Sequence, residues 1–174
     1  MPSLLFFSQI RTRRPAGEGC RYADESAQMT PLFPYSNVVL GAMLLVIGFV
    51  FHWVGQLVSL INWDLAAKIG IAEPDLAPEF KAYERAIAVA DVAIGWIYGV
   101  ATVGLFMNAE WGYKLAWIPG SILIYHAISA WQWEDNRRTL GHRMWSEGMR
   151  IGWCALNAGT GILALILAWV GKSA

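Results

Sequence analysis

The sequence predicts an all-α integral membrane protein, folded as an antiparallel bundle of four transmembrane helices. Charged residues make up only 15% of the 174-residue chain and hydrophobic residues 56%, whereas a soluble domain carries about a quarter charged residues. Four apolar runs follow one another, each close to the length of about 20 residues that crosses a bilayer core. Long, short and medium connections between these runs favour an antiparallel, multi-pass arrangement.

The chain divides into an N-terminal tail, residues 1–35, which we expect to be poorly ordered, and a transmembrane domain, residues 36–171. Ser36 is a suitable N-cap for the first helix. The connection 62–82 is polar and contains two helix-breaking prolines, and it has room for a short surface helix. The four predicted spans are residues 38–61, 86–107, 115–133 and 151–170.

Polar side chains interrupt these apolar runs at a common depth. They are His52 and Gln56 on the first span, Asp91 on the second, His126 on the third and Asn157 on the fourth. Counted from the end that carries the first and third connections, they lie roughly 9–17 Å below the surface at about 1.5 Å per residue. Ionisable residues inside a membrane are functional candidates by default. The sequence therefore predicts a polar pocket that opens toward this end.

Asp91 is the only charged residue in the second span. Because lipid disfavours an unpaired carboxylate, we expect Asp91 to be protonated and to act as a catalytic acid. We expect His52, neutral and held by Gln56, to act as the base. The predicted reaction is proton transfer on a lipophilic, sterol-like or terpenoid substrate, of the isomerase or cyclase type, with tryptophan faces stabilising a carbocation. We expect the substrate to be bound by Gln56, Trp96, Tyr98, His126, Trp131 and Asn157.

Two other functions stay open at this point. A b-type haem would need two facing histidines, and His52 and His126 lie at compatible depths. A non-catalytic protein that binds lipids or joins a membrane complex would use the same polar side chains as hydrogen bonds between helices, or would pair Asp91 with Arg85. A dimetal carboxylate site needs several acids in the membrane interior, and the four predicted spans contain one. We therefore predict no such site, and the preferred function, proton transfer, needs neither a metal nor another cofactor.

The composition also bears on partners. The formal net charge is zero and no basic block lies on an amphipathic helix, which excludes nucleic acid as an expected partner. Cys20 and Cys154 form no C-x-x-C pair, so they indicate neither redox nor zinc chemistry. The expected partners are a lipophilic small molecule and membrane lipids, and a homodimer stays open.

The order of four spans and their connections resembles the EXPERA group, which contains the emopamil-binding sterol isomerases and the sigma-2 receptor. The stretch F-H-W-V-G-Q places His52 where that group has a first-span histidine, and Gln56 where it has an acid. Asp91 resembles its second-span acid, and LGHRMWSEGMRIGWCALNAG, ending just after Asn157, is similar to the isomerases' loop and fourth span. The resemblance covers roughly residues 38–170 and implies lipid metabolism. Thr160 departs from it, because the isomerases have an aromatic residue after the asparagine.

Overall fold

The computed structural model describes residues 33–171, and no strand occurs in this part of the chain. Most of the predicted N-terminal tail, residues 1–35, lies outside the described residues. The first helix begins at Ser36, one residue earlier than an N-cap at that position requires. Its actual N-cap is Tyr35, which has a left-handed φ of 62° and makes no side-chain capping hydrogen bond.

The helices follow one another with short connections. They are α1 (Ser36–Met43), a π-helix (Leu44–Val54), α2 (Gly55–Ile61), α3 (Trp63–Lys68), α4 (Pro78–Phe106), α5 (Glu110–Leu115), α6 (Trp117–Thr139) and α7 (Glu147–Val170). The first three are continuous and form one helix, Ser36–Ile61, which we call the first long helix. The short surface helix for which the first connection has room is α3.

Within the described residues, three helices are long and apolar enough to cross a membrane: the first long helix, α4 and α7. These are the features of a membrane protein by length and composition. The third predicted span lies in α6, where residues 117–133 carry no formal charge but the last turns contain four charged residues. The count of four membrane spans therefore stays a prediction.

Several helices extend beyond their predicted spans on the side of the first and third connections. α4 begins at Pro78, about two turns before residue 86, because proline is well suited to the first position of a helix. α6 continues to Thr139, and α7 starts after Ser146, whose side chain caps the backbone N–H of Met149. Charged residues occupy these extensions, so the hydropathy pattern alone ended the helices too early.

The first long helix packs antiparallel to α4. Near its start, the Thr102 hydroxyl donates a hydrogen bond to the Gly41 carbonyl over 3.3 Å. Near its end, the Trp53 indole donates to the Val92 carbonyl over 3.0 Å. The partner's number falls as the number along the first helix rises, which defines the antiparallel direction.

α6 and α7 also run antiparallel, and they touch backbone to backbone near their apolar ends. A Cβ atom built on Gly161 would lie 2.6 Å from the Gly120 carbonyl oxygen. Ala164 packs beside this crossing. Small residues that permit such close approach are typical of helix pairs in membranes.

The apolar core and the polar groups occupy different halves of the molecule. The largest core side chains, such as Leu40, Leu105, Leu123 and Leu167, are fully buried in the half remote from the first and third connections. At the opposite end, which we call the loop end, the buried Arg137 on α6 pairs with Glu73 in the first connection. This ion pair attaches the connection to the helices, beside the buried polar groups His52, Asp91 and His126.

Candidate functional site

His52 lies in the π-helix and faces the interior of the molecule. The π-helix buries Leu44, Gly48 and His52 at intervals of four residues, and only 7% of His52 is exposed. π-helical turns are rare and frequently occur at functional sites. Their wider turn changes which residues share a face, so an α-helical pattern alone does not specify the direction of His52.

The imidazole of His52 stacks on that of His126 from α6. The ring centroids are 4.4 Å apart and the planes differ by 27°. The Trp153 ring of α7 lies beside His52, with the two ring centroids 5.5 Å apart. Two histidines from helices that are distant in sequence are therefore in contact in the interior.

Asp91 on α4 contacts His126 directly. The Asp91 Oδ1 atom lies 3.1 Å from His126 Nε2, and both side chains are about nine-tenths buried. The second carboxyl oxygen, Oδ2, is buried without a hydrogen-bond partner among the described residues. The sequence placed Asp91 and His52 at one depth, and the structure gives Asp91 a closer partner in His126.

Asn157 holds His52 from the opposite side. The Asn157 amide nitrogen donates to the Trp153 carbonyl over 2.9 Å, which directs the amide oxygen toward His52. That oxygen lies 2.7 Å from His52 Nε2, so this ring nitrogen carries a proton and donates. The expected support of His52 by Gln56 is replaced by this bond, and His52 Nδ1 is left without a hydrogen-bond partner among the described residues.

These side chains meet a cavity of about 430 Å³, a volume within the range of about 300–1,000 Å³ for small-molecule sites. His52, Gln56, Asp91 and His126 all line it, as predicted. The walls toward the loop end come from the first connection, from α6 and from the segment before α7. The aromatic side chains of the lining are Phe51, Trp63, Tyr83, Trp133, Trp145 and Trp153.

Four predicted substrate-binding residues do not line this cavity: Trp96, Tyr98, Trp131 and Asn157. Trp96 lies five positions after Asp91, which places it about 140° around the helix, and 53% of it is exposed. Trp131 bears the same relation to His126, and its ring packs under Arg150 with the cation 3.8 Å from the centroid. Tyr98 is buried behind His52, and Asn157 acts through His52.

Four aromatic residues of the lining were not predicted as site residues: Trp133, Tyr83, Trp63 and Trp145. A periodicity signal was available for the first of these, because Trp133 follows His126 by seven residues and so returns to the same face after two turns. The Tyr83 and Trp133 rings stack with centroids 4.7 Å apart. Trp63 and Trp145 belong to connecting regions, so only the tertiary structure brings them to the cavity.

Two acidic residues mark the cavity near the loop end. Glu84 lies seven residues before Asp91 on the same face of α4, and Glu134 on α6 is only 2% exposed. Glu134 accepts a hydrogen bond from Arg138 over 3.2 Å. Arg137 lies 4.0 Å from Glu84, so each of the two carboxylates has an arginine nearby. The arrangement combines an apolar, aromatic cavity with a buried His–Asp–His cluster at its inner end.

No family model, no curated protein and no solved structure matches this chain.

Proposed function

We propose that this chain is a multi-pass membrane enzyme that transfers a proton on a lipophilic, sterol-like or terpenoid substrate. In this proposal α6 is a fourth membrane span, completing an antiparallel bundle. Its uncharged residues, 117–133, number 17, at the lower limit of about 17–25 for a transmembrane helix. The side chains of α6 that face the interior contact α4 and α7, and His126 is turned away from lipid.

The observation that carries the proposal is the buried contact between Asp91 and His126 at the inner end of an aromatic cavity. The carboxyl and the imidazole are 3.1 Å apart, so they can hold a proton between them, and each can donate or accept that proton. The stacked ring of His52 adds a second imidazole at the same place. An apolar cavity with few convergent polar groups is the usual form of a small-molecule site.

The lining also fits the charge that such a reaction develops. Proton addition to a carbon–carbon double bond produces a carbocation, which aromatic faces stabilise by about 2 kcal/mol in a desolvated site. Trp153 and Trp133 are placed for this role, in place of Trp96 and Trp131. The residues that resemble the EXPERA group, His52, Asp91 and Asn157, meet in this one cluster, and membership of that group stays a prediction.

The test is incorporation of solvent deuterium into lipid. The full chain, purified in detergent micelles, is incubated in D₂O with a probe mixture of sterols and polyprenols, and the lipids are analysed by mass spectrometry. We expect deuterium at carbon with the wild type, and a loss of about 10²- to 10⁴-fold with Asp91→Asn, since the amide keeps the shape but does not transfer that proton. The matched control is Asp64→Asn, a substitution on the exposed helix α3, which should retain activity.

Equal incorporation by the wild type and Asp91→Asn would refute the role of Asp91. The second candidate function is a non-catalytic lipid-binding or membrane-complex protein, which Gln56 favours because its amide in the cavity wall transfers no proton. That function predicts lipid that co-purifies with the chain and gains no deuterium. A bis-histidine haem is less well supported, because stacked imidazoles 4.4 Å apart leave no room for a porphyrin between them.

A further inference from the structure

We infer that His52, Asp91 and His126 form a binding site for a divalent transition-metal ion. Each residue offers one ligand atom, and the three atoms all lie within 4.8 Å of one another. Three different helices supply them, so the tertiary structure alone creates the group. The inference goes beyond the proposed function and does not require it, because a metal ion can be bound with no substrate present.

The separation of Asp91 Oδ1 and His126 Nε2 is that of two ligands on one metal ion. Bonds of about 2.0–2.2 Å at a tetrahedral angle place two ligand atoms about 3.3–3.6 Å apart, and the observed distance of 3.1 Å is slightly shorter. A movement of about 1.5 Å or less would bring the ligand atom of His52 to the same separation. The buried Asp91 Oδ2 atom, which has no hydrogen-bond partner among the described residues, would then face a cation.

Asn157 orients His52 in the way that metal sites orient their histidines. A metal-bound histidine almost always donates its other ring N–H to an oxygen acceptor, which fixes the tautomer and the ring. Here His52 Nε2 donates to Asn157 Oδ1 over 2.7 Å, and the Asn157 amide is itself held by the Trp153 carbonyl. His52 Nδ1 is therefore the unprotonated nitrogen, and it is the one available to a metal.

The donor set indicates the class of ion. Two imidazoles and one carboxylate suit zinc or ferrous iron and leave coordination positions for water or substrate. Ca²⁺ and Mg²⁺ prefer oxygen ligands and are disfavoured. His52, Asp91 and His126 all line the 430 Å³ cavity, so a water or a substrate in the cavity would have access to those remaining positions.

The experiment measures metal binding directly. The full chain is produced without a polyhistidine tag, stripped with a chelator in detergent micelles and titrated with Co²⁺, a probe whose visible absorption reports ordered coordination. We expect one ion per folded chain, displaced by Zn²⁺. His126→Ala should weaken Co²⁺ binding at least 100-fold. Asn157→Ala should weaken Co²⁺ binding about 10- to 100-fold, since this substitution removes only the hydrogen bond that supports His52. The control is His142→Ala, the third histidine of the sequence, which lies outside the cluster.

The wild type and His142→Ala decide the question even if a cluster variant fails to fold. Absence of a Co²⁺ spectrum from folded wild-type protein would overturn the inference. So would a spectrum that His142→Ala abolishes, or one that survives in a folded His126→Ala protein. Deuterium incorporation by chelator-treated protein distinguishes the two proposals. Activity without metal would support the proposed proton transfer and would show that the metal ion takes no part in it.

Discussion

Gly159 and Gly161, two residues apart on α7, offer a matched pair of substitutions with opposite expected effects on stability. Apart from its own helix, a Cβ atom added at Gly159 meets no atom of residues 33–171 within 4 Å. A Cβ atom added at Gly161 would lie 2.6 Å from the Gly120 carbonyl oxygen and 2.7 Å from a side-chain carbon of Ile124. The first position faces outward and the second forms the crossing with α6.

The magnitudes follow from these contacts. Alanine is preferred to glycine in a helix interior by about 1 kcal/mol, so Gly159→Ala should stabilise the protein by up to that amount. Gly161→Ala has the same gain but must move a backbone carbonyl, and overpacking costs about 1–3 kcal/mol. Because a carbonyl in a helix does not rotate aside as a side chain does, we expect the upper part of this range and a net loss of about 1–2 kcal/mol.

The assay is thermal unfolding of the full chain in one detergent, followed by intrinsic tryptophan fluorescence. A change of 1 kcal/mol shifts Tm by about 2–4 °C in a chain of this size. We therefore expect Tm to rise by about 2–3 °C for Gly159→Ala and to fall by about 3–6 °C for Gly161→Ala. A Gly161→Ala protein as stable as Gly159→Ala would refute the close crossing of α6 and α7.

Two further predictions concern the loop end. Arg137→Met should lower the free energy of unfolding by about 3 kcal/mol, the lower end of the range for breaking a buried ion pair. We expect the lower end because the Glu73 side chain is 26% exposed. Limited proteolysis within the first connection should become faster, and an unchanged cleavage rate would contradict the prediction. Ser146→Ala should cost about 1 kcal/mol through loss of the α7 cap, with Tm as the measure. Ser121→Ala, which removes only a bond to its own helix, is the control and should leave Tm nearly unchanged.

The sequence alone was sufficient for the helical class and for the polar residues at the inner end of the cavity. Hydropathy marks apolar runs because each must lose water in lipid, and the same argument makes any polar residue within them conspicuous. His52, Asp91, His126 and Asn157 were identified in this way, and all four meet in one cluster. The depth count also placed the pocket at the correct end, since rise per residue along a helix varies little between α-helices.

Only the tertiary structure decided which of these groups touch. The depth of a residue along a helix does not give the direction of its side chain around the helix axis, and the π-helix changes that direction for His52. Asp91 therefore contacts His126, and Asn157 takes the place expected for Gln56. Rotation likewise turns Trp131 away from the cavity. Hydropathy alone also missed the helix ends at the loop end, although Pro78 and Ser146 are helix-start signals in the sequence. Ion pairs between segments distant along the chain stabilise the charged turns there.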